Sequence, residues 1–143
     1  MIEVFVHSLG MEQDTDQPVI ILRPADGDRI LPIWIGEAEA KAIFLSFQEV
    51  PPPRPMTHDL LHNTIRALGF MVERVEITEL RETTFYANIV LFDGTNTVEI
   101  DARPSDSIAQ MRTRRSGSSS ALRSRGSASG PSPPRAVAAF SRT

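Results

Sequence analysis

The chain has 143 residues, 41% of them hydrophobic, with a formal charge of −3 and no cysteine. That length suits one domain of about 100–200 residues, and the missing thiols exclude disulfides, thiolate catalysis and Cys-based zinc or iron–sulfur centres. With no apolar run of about 18 residues and no basic-then-apolar leader, the reading is a soluble, cytoplasmic protein without a membrane partner.

In chain order, Ile2, Val4 and Val6 alternate with Glu3, Phe5 and His7, the pattern of a half-buried strand. A polar loop follows, and then two β-branched stretches, residues 18–24 and 29–35, separated by a turn in which Gly27 can take positive φ. Residues 37–50 place Ala40, Ile43, Phe44 and Phe47 at helical spacing, with Glu37 and Glu39 at the positive end of the helix dipole. The proline-rich stretch 51–55 ends that helix. Thr57 reads as the N-cap of a second helix, with Leu60, Leu61, Ile65 and Leu68 as its buried stripe and Gly69 at its C-terminal end.

Residues 70–80, 83–92 and 97–102 are three further strands, joined by short turns that favour antiparallel pairing. Pro104 suits the first residue of a third helix. The predicted class is α+β, with a mainly antiparallel or mixed sheet in the order β-β-β-α-α-β-β-β and a truncated third helix. Trp34, Phe44 and Phe47 read as core or as a subunit contact, which leaves room for a homo-oligomer.

The charge divides the chain at residue 110. All 18 acidic residues precede it, with 8 basic ones, for a net of −10; residues 110–143 hold seven arginines and no acid, for +7. Ser, Arg, Ala, Gly and Pro dominate those last residues without hydrophobic periodicity, so a domain over residues 1–109 and a disordered tail over 110–143 are expected. An Arg/Ser-rich tail suits a nucleic-acid arm. The excess of Arg over Lys also suits GC-rich coding DNA read out of frame, the favoured explanation of the tail.

Three stretches carry polar groups at the ends of elements, where sites are usually assembled. Thr57, His58 and Asp59 open the second helix, Glu37 opens the first, and Asp101, Arg103, Ser105 and Asp106 surround the strand-to-helix turn. Glu37, Asp59, Asp101 and Asp106 supply oxygens for a hard cation such as Mg²⁺ or Mn²⁺. His58 can move a proton, and Arg103 can grip a phosphate. His58, Asp59, Asp101, Arg103 and Asp106 thus form the candidate catalytic set for phosphodiester hydrolysis. A structural role competes at each position: Asp59 and His58 as helix-start residues, Arg103 with Asp101 or Asp106 as a turn-fixing ion pair, Ser105 as a turn hydroxyl. No Walker A, Rossmann glycine pattern or zinc-protease motif occurs.

Taken together, LPIWIGEAEA, PRPMTHDLL, TTFYANI and IDARPSDSIA resemble the bifunctional nuclease family over about residues 1–109. The resemblance implies an α+β domain and, from the plant members, a hydrolase acting on both DNA and RNA. The positions within matched motifs are Glu37, His58, Asp59, Asp101, Arg103, Ser105 and Asp106. Family members continue the last helix with an apolar Leu-Ala stretch and add a strand, whereas this chain moves to QMRTRRSG, so a C-terminally incomplete domain is expected. The leading function is a metal-assisted nuclease with nucleic acid as substrate. The rival is a non-catalytic interaction or regulatory module, and a small-ligand hydrolase or binder is third. A domain of charge −10 repels polyanions unless cations intervene.

Overall fold

The computed structural model describes residues 2–24, 27–47, 52–116 and 135–138. In chain order the elements are β1 (Ile2–Met11), β2 (Pro18–Pro24), β3 (Leu31–Trp34), α1 (Glu37–Phe47), α2 (Thr57–Ala67), β4 (Met71–Arg81), β5 (Thr84–Phe92), β6 (Thr97–Ala102), α3 (Pro104–Ser116) and β7 (Arg135–Ala138). The first nine follow the predicted order, and the class is the expected α+β.

The seven described strands form one sheet in the order β3-β2-β1-β7-β4-β5-β6. The two consecutive triplets are antiparallel meanders, as short turns require. β7 joins them, antiparallel to β1 and parallel to β4, and makes the sheet mixed. The predicted turns use the residues that suit them. Gly27 and Gly94 have φ of 143° and 102°, and the Asp93 carboxylate accepts the N–H groups of Thr95 and Asn96 at 2.7 and 2.6 Å.

Gly69, with φ of 87°, ends α2. Its N–H donates to Arg66 O while Phe70 N–H donates to Ile65 O, the paired bonds of a Schellman stop. The start of α2 differs from expectation. Met56 is the N-cap, with φ −77° and ψ 172°, and Thr57 is already helical. Asp59, three residues on, accepts the Met56 N–H at 2.9 Å, the back-reaching bond of a capping box, in place of the hydroxyl cap expected from Thr57.

One face of the sheet carries the helices. α3 is central, flanked by α1 and α2 and resting on β4 and β5. Val4, Ile20, Leu22, Ile43, Val72, Val75, Ala87 and Ile108 lie at its core, nearly or fully solvent-excluded. Leu60, Leu61 and Leu68, predicted as a buried stripe, are instead exposed, and so are Trp34 and Phe44, which read as core or as a subunit contact. Of the α2 stripe only Ile65 is buried among those predicted, with His62 beside it on the same helix face. Helical spacing identifies the apolar side, but among the described residues α2 packs mainly on α3, with a smaller contact to β4.

α3 runs to Ser116, and Gln110 and Met111 are buried within it. Arginine favours helices nearly as well as leucine, so an Arg-rich run can continue a helix whose inner face is already filled. β7, within the segment expected to be disordered, occupies the middle of the sheet. Residues 117–134 and 139–143 of the expected tail lie outside the described residues. Among the described residues, no helix is long and apolar enough to cross a membrane.

Candidate active site

β6 ends at Ala102 and α3 starts at Pro104, as Pro at a first helical position predicts. Arg103 is the hinge between them. Its carbonyl accepts both the N–H and the hydroxyl of Ser107, each at 3.0 Å, which fixes the first turn of α3. Its guanidinium reaches back along the helix and binds Asp106 through two bonds, Nε to Oδ2 at 2.6 Å and Nη2 to Oδ1 at 3.0 Å. Nη1 meets Glu39 Oε1, from the first turn of α1, at 2.9 Å. One guanidinium thus ties the starts of two helices, held by a two-bond contact on one side and a single bond on the other.

The electrostatics follow from this clamp. Glu39 is held below the ordinary carboxylate range, first by a backbone N–H bond at the helix start and then by Arg103. Asp106 and then Glu39 raise the Arg103 pKa, so the guanidinium stays charged. Glu39 occupies the space where a side chain at position 36 would begin, because a Cβ on Gly36 would collide with its carboxylate. Gly36 is therefore part of the clamp.

The start of α2 stands opposite. Its His58 side chain is 11% exposed, with Nε2 3.5 Å from Asp59 Oδ1. Gln110 of α3, 1% exposed, donates its amide to His58 O at 3.1 Å and ties the two helices at that point. Between α1, α2, α3 and β6 lies a cavity of about 620 Å³. Its apolar lining includes Ala42, Leu61, Ile89 and Ile100, and its polar lining is Glu39, Lys41, Thr57, His58, Asp101, Ser105, Asp106 and Gln110.

The predicted residues divide around this cavity. His58, Asp101, Ser105 and Asp106 line it. Arg103 joins its wall through Asp106 and Glu39 and itself lines a smaller neighbouring cavity. Asp59 is attached through His58 but serves the α2 start. Asp101 sits on the outermost strand opposite Asn88, while Ile100 and Ala102, its neighbours on the other sheet face, pair with the buried Ile89 and Ala87. Glu37 is exposed and outside the lining.

Two contributors were absent from the predicted set. Glu39 holds the carboxylate position assigned to Glu37; the signal was glycine followed three residues later by glutamate, the spacing of a helix-start box. Gln110 was assigned to the tail, and nothing in its local composition marks it as buried. Among the described residues no three His, Asp or Glu side chains converge as a metal-binding group. Glu39 and Asp106 direct oxygens at Arg103, and Asp59 directs one at Met56 N, so the residues present do not form a ready-made divalent site.

A profile of the bifunctional nuclease domain matches residues 20–114. An uncharacterized protein of Mycobacterium tuberculosis is 52% identical over 107 residues, covering 75% of this chain and 63% of that protein. Bifunctional nuclease 1 of Oryza sativa subsp. japonica is 27% identical over 104 residues, covering 70% of this chain and 31% of the plant protein. The chain therefore spans less than two thirds of the length of each of these relatives. The matched segment contains the cavity-lining starts of α1, α2 and α3, and the chain belongs to the bifunctional nuclease domain family.

Proposed function

We propose that the chain is a nuclease that hydrolyses phosphodiester bonds in DNA, RNA or both, at the junction of α1, α2 and α3. The observation that carries this reading is the guanidinium of Arg103, clamped by Asp106 and Glu39, two carboxylates that line the cavity that also holds His58. The clamp uses three guanidinium N–H groups and leaves the others for a phosphate oxygen. As the phosphorus gains a fifth oxygen, negative charge grows on its equatorial oxygens, and a pre-oriented cation stabilises that charge without reorganising. His58, beside Asp59, takes the proton of the attacking water or returns one to the leaving oxygen. The Oryza relatives named as bifunctional nucleases support the reaction class.

The test is cleavage of single-stranded DNA and RNA by the full chain with Mg²⁺, with Mn²⁺ and with EDTA, alongside His58→Ala and Asp101→Asn. Loss of cleavage in folded His58→Ala supports the proposal, and unchanged cleavage refutes the role of His58. Cleavage that survives EDTA removes the divalent ion from the reaction. The rival reading, a non-catalytic interaction module, draws on the exposed Leu60, Leu61 and Leu68 of α2. Absence of cleavage under every condition would favour it.

A further inference from the structure

Arg103 also forms part of a second cavity, of about 300 Å³, on the other side of the α3 start. Trp34, Phe85, Thr83, Thr84 and Gln17 line it together with Arg103. We propose that this cavity receives one nucleobase of the substrate, stacked on Trp34, while the phosphate attached to that nucleotide lies at Arg103.

Trp34 carries the argument. A tryptophan on a strand of this apolar sequence is expected in the core, yet its residue is 46% exposed. The ring is nonetheless fixed. Its Nε1 donates to Glu12 Oε2 at 3.0 Å, and Thr15 Oγ1 donates to the same oxygen at 2.6 Å. The loop bearing both residues is closed by bonds from Glu12 N to Gln17 O and from Asp16 N to Glu12 O, each 2.9 Å. An exposed aromatic face held by a braced loop loses little side-chain freedom when a flat ring stacks on it.

The rest of the lining suits a nucleobase rather than a plain hydrocarbon. Phe85 adds apolar surface, and the Thr83 and Thr84 hydroxyls and the Gln17 amide can both donate and accept at a base edge. The volume is at the small end of ligand pockets, enough for one base with its sugar. Arg103 supplies the fixed positive charge that a nucleotide needs beside its base. Because Arg103 is shared, the proposal rests on the nuclease reading, and it places the substrate across the ridge between the two cavities.

Trp34 is the single tryptophan in the chain, so selectively excited tryptophan emission reports on this cavity. The full chain is titrated with thymidine 5′-monophosphate, thymidine and ribose 5-phosphate. The expected result is saturable quenching by the monophosphate, weaker binding of thymidine, and no quenching by ribose 5-phosphate at the same concentration. Arg103→Gln weakens the monophosphate and leaves thymidine unchanged. In oligonucleotide cleavage, Trp34→Ala raises KM roughly tenfold with kcat retained, and Trp34→Phe recovers most of the loss. Equal responses to ribose 5-phosphate and the monophosphate, or no saturable response, overturn the subsite. So does an unchanged KM in Trp34→Ala while His58→Ala still abolishes cleavage, which leaves the nuclease reading standing. Base-dependent quenching without any cleavage does the reverse: the subsite stands and the nuclease reading falls.

Discussion

Glu39 and Arg103 come from the starts of different helices and meet at 2.9 Å, and Gly36 is what lets them meet. The glutamate folds back over the start of its own helix, where any larger residue at position 36 would push it outward. Arg103 is then held from two sides, by Glu39 and by Asp106. A half-exposed arginine alone would sample many rotamers; the two carboxylates restrict it, at the cost of partly neutralising it.

Gly36→Ala tests this arrangement. The new methyl displaces Glu39, so Arg103 keeps Asp106 and loses its second partner. The Arg103 side chain is 64% exposed, so the lost pair costs at most about 1 kcal/mol and the protein stays folded. The freed N–H group should bind inorganic phosphate more tightly than the parent does, and Glu39→Gln should shift binding in the same direction. Isothermal titration of phosphate, with urea unfolding as the control, checks both. Unchanged phosphate affinity in both variants would show that Glu39 does not compete for the guanidinium.

Acid should weaken the fold through two identified carboxylates. Glu39 is held low by a backbone N–H and by Arg103, and Asp93 by the N–H of Asn96, the Asn96 amide and the N–H of Thr95. A carboxyl with a lowered folded-state pKa stabilises the fold above its unfolded pKa and loses that contribution as pH falls through its folded pKa. The urea midpoint should therefore decline below about pH 4.3, the ordinary glutamate range, with full stability retained between there and neutrality. Glu39→Gln and Asp93→Asn should each flatten that decline. An acid limb unchanged in the double variant would assign it to other groups.

Six strands, three helices and their order were legible because the turns announce themselves: Gly27 adopts the positive φ expected of it, and Gly69 ends α2 with a positive φ as well. Burial along β4 departs from strict alternation, with Val75, Glu76 and Ile77 buried in succession, and the cause is visible. The pairing of β4 with β5 shifts register between Val72 and Arg74, so an extra residue resets which face each later side chain occupies. Burial was less legible, since Leu68 and Ile65 are alike in composition and differ in whether another element covers them. At the site, the motif words located His58, Asp101, Ser105 and Asp106 on one cavity. Glu39 was missed because Glu37 and Glu39 suit the helix dipole equally, and only the side-chain path over Gly36 separates them. β7 was missed because a short Ala-Val-Ala run amid Arg, Ser and Pro carries too few residues to show a period.

Gln110 gives a direct test of how much residues beyond 109 matter. Its side chain is fully inside, donating to His58 O, while its Oε1 has no hydrogen-bond partner among the described residues. Gln110→Ala removes the tie between α2 and α3 and leaves a void, with an expected loss of about 2 kcal/mol. Gln110→Met keeps most of the volume and removes the unsatisfied acceptor, so its loss should be smaller. Urea midpoints of the two variants measure the difference. If both match the parent, residue 110 carries no structural weight and the original boundary stands.

Arg103→Lys separates charge from shape. Lysine keeps the positive charge, but its ammonium cannot make the two-bond contact with Asp106 while reaching Glu39 and a substrate oxygen in fixed directions. Because the side chain is largely exposed, the change in stability should stay within about 1 kcal/mol. If Arg103 stabilises charge that develops at the scissile phosphate, kcat should fall on the order of 100-fold with little change in KM. A purely structural clamp predicts the opposite pattern, a lower urea midpoint with kcat intact. Cleavage kinetics and unfolding measured on the same preparation therefore distinguish the two roles, and a kcat equal to that of the parent would remove Arg103 from the chemistry.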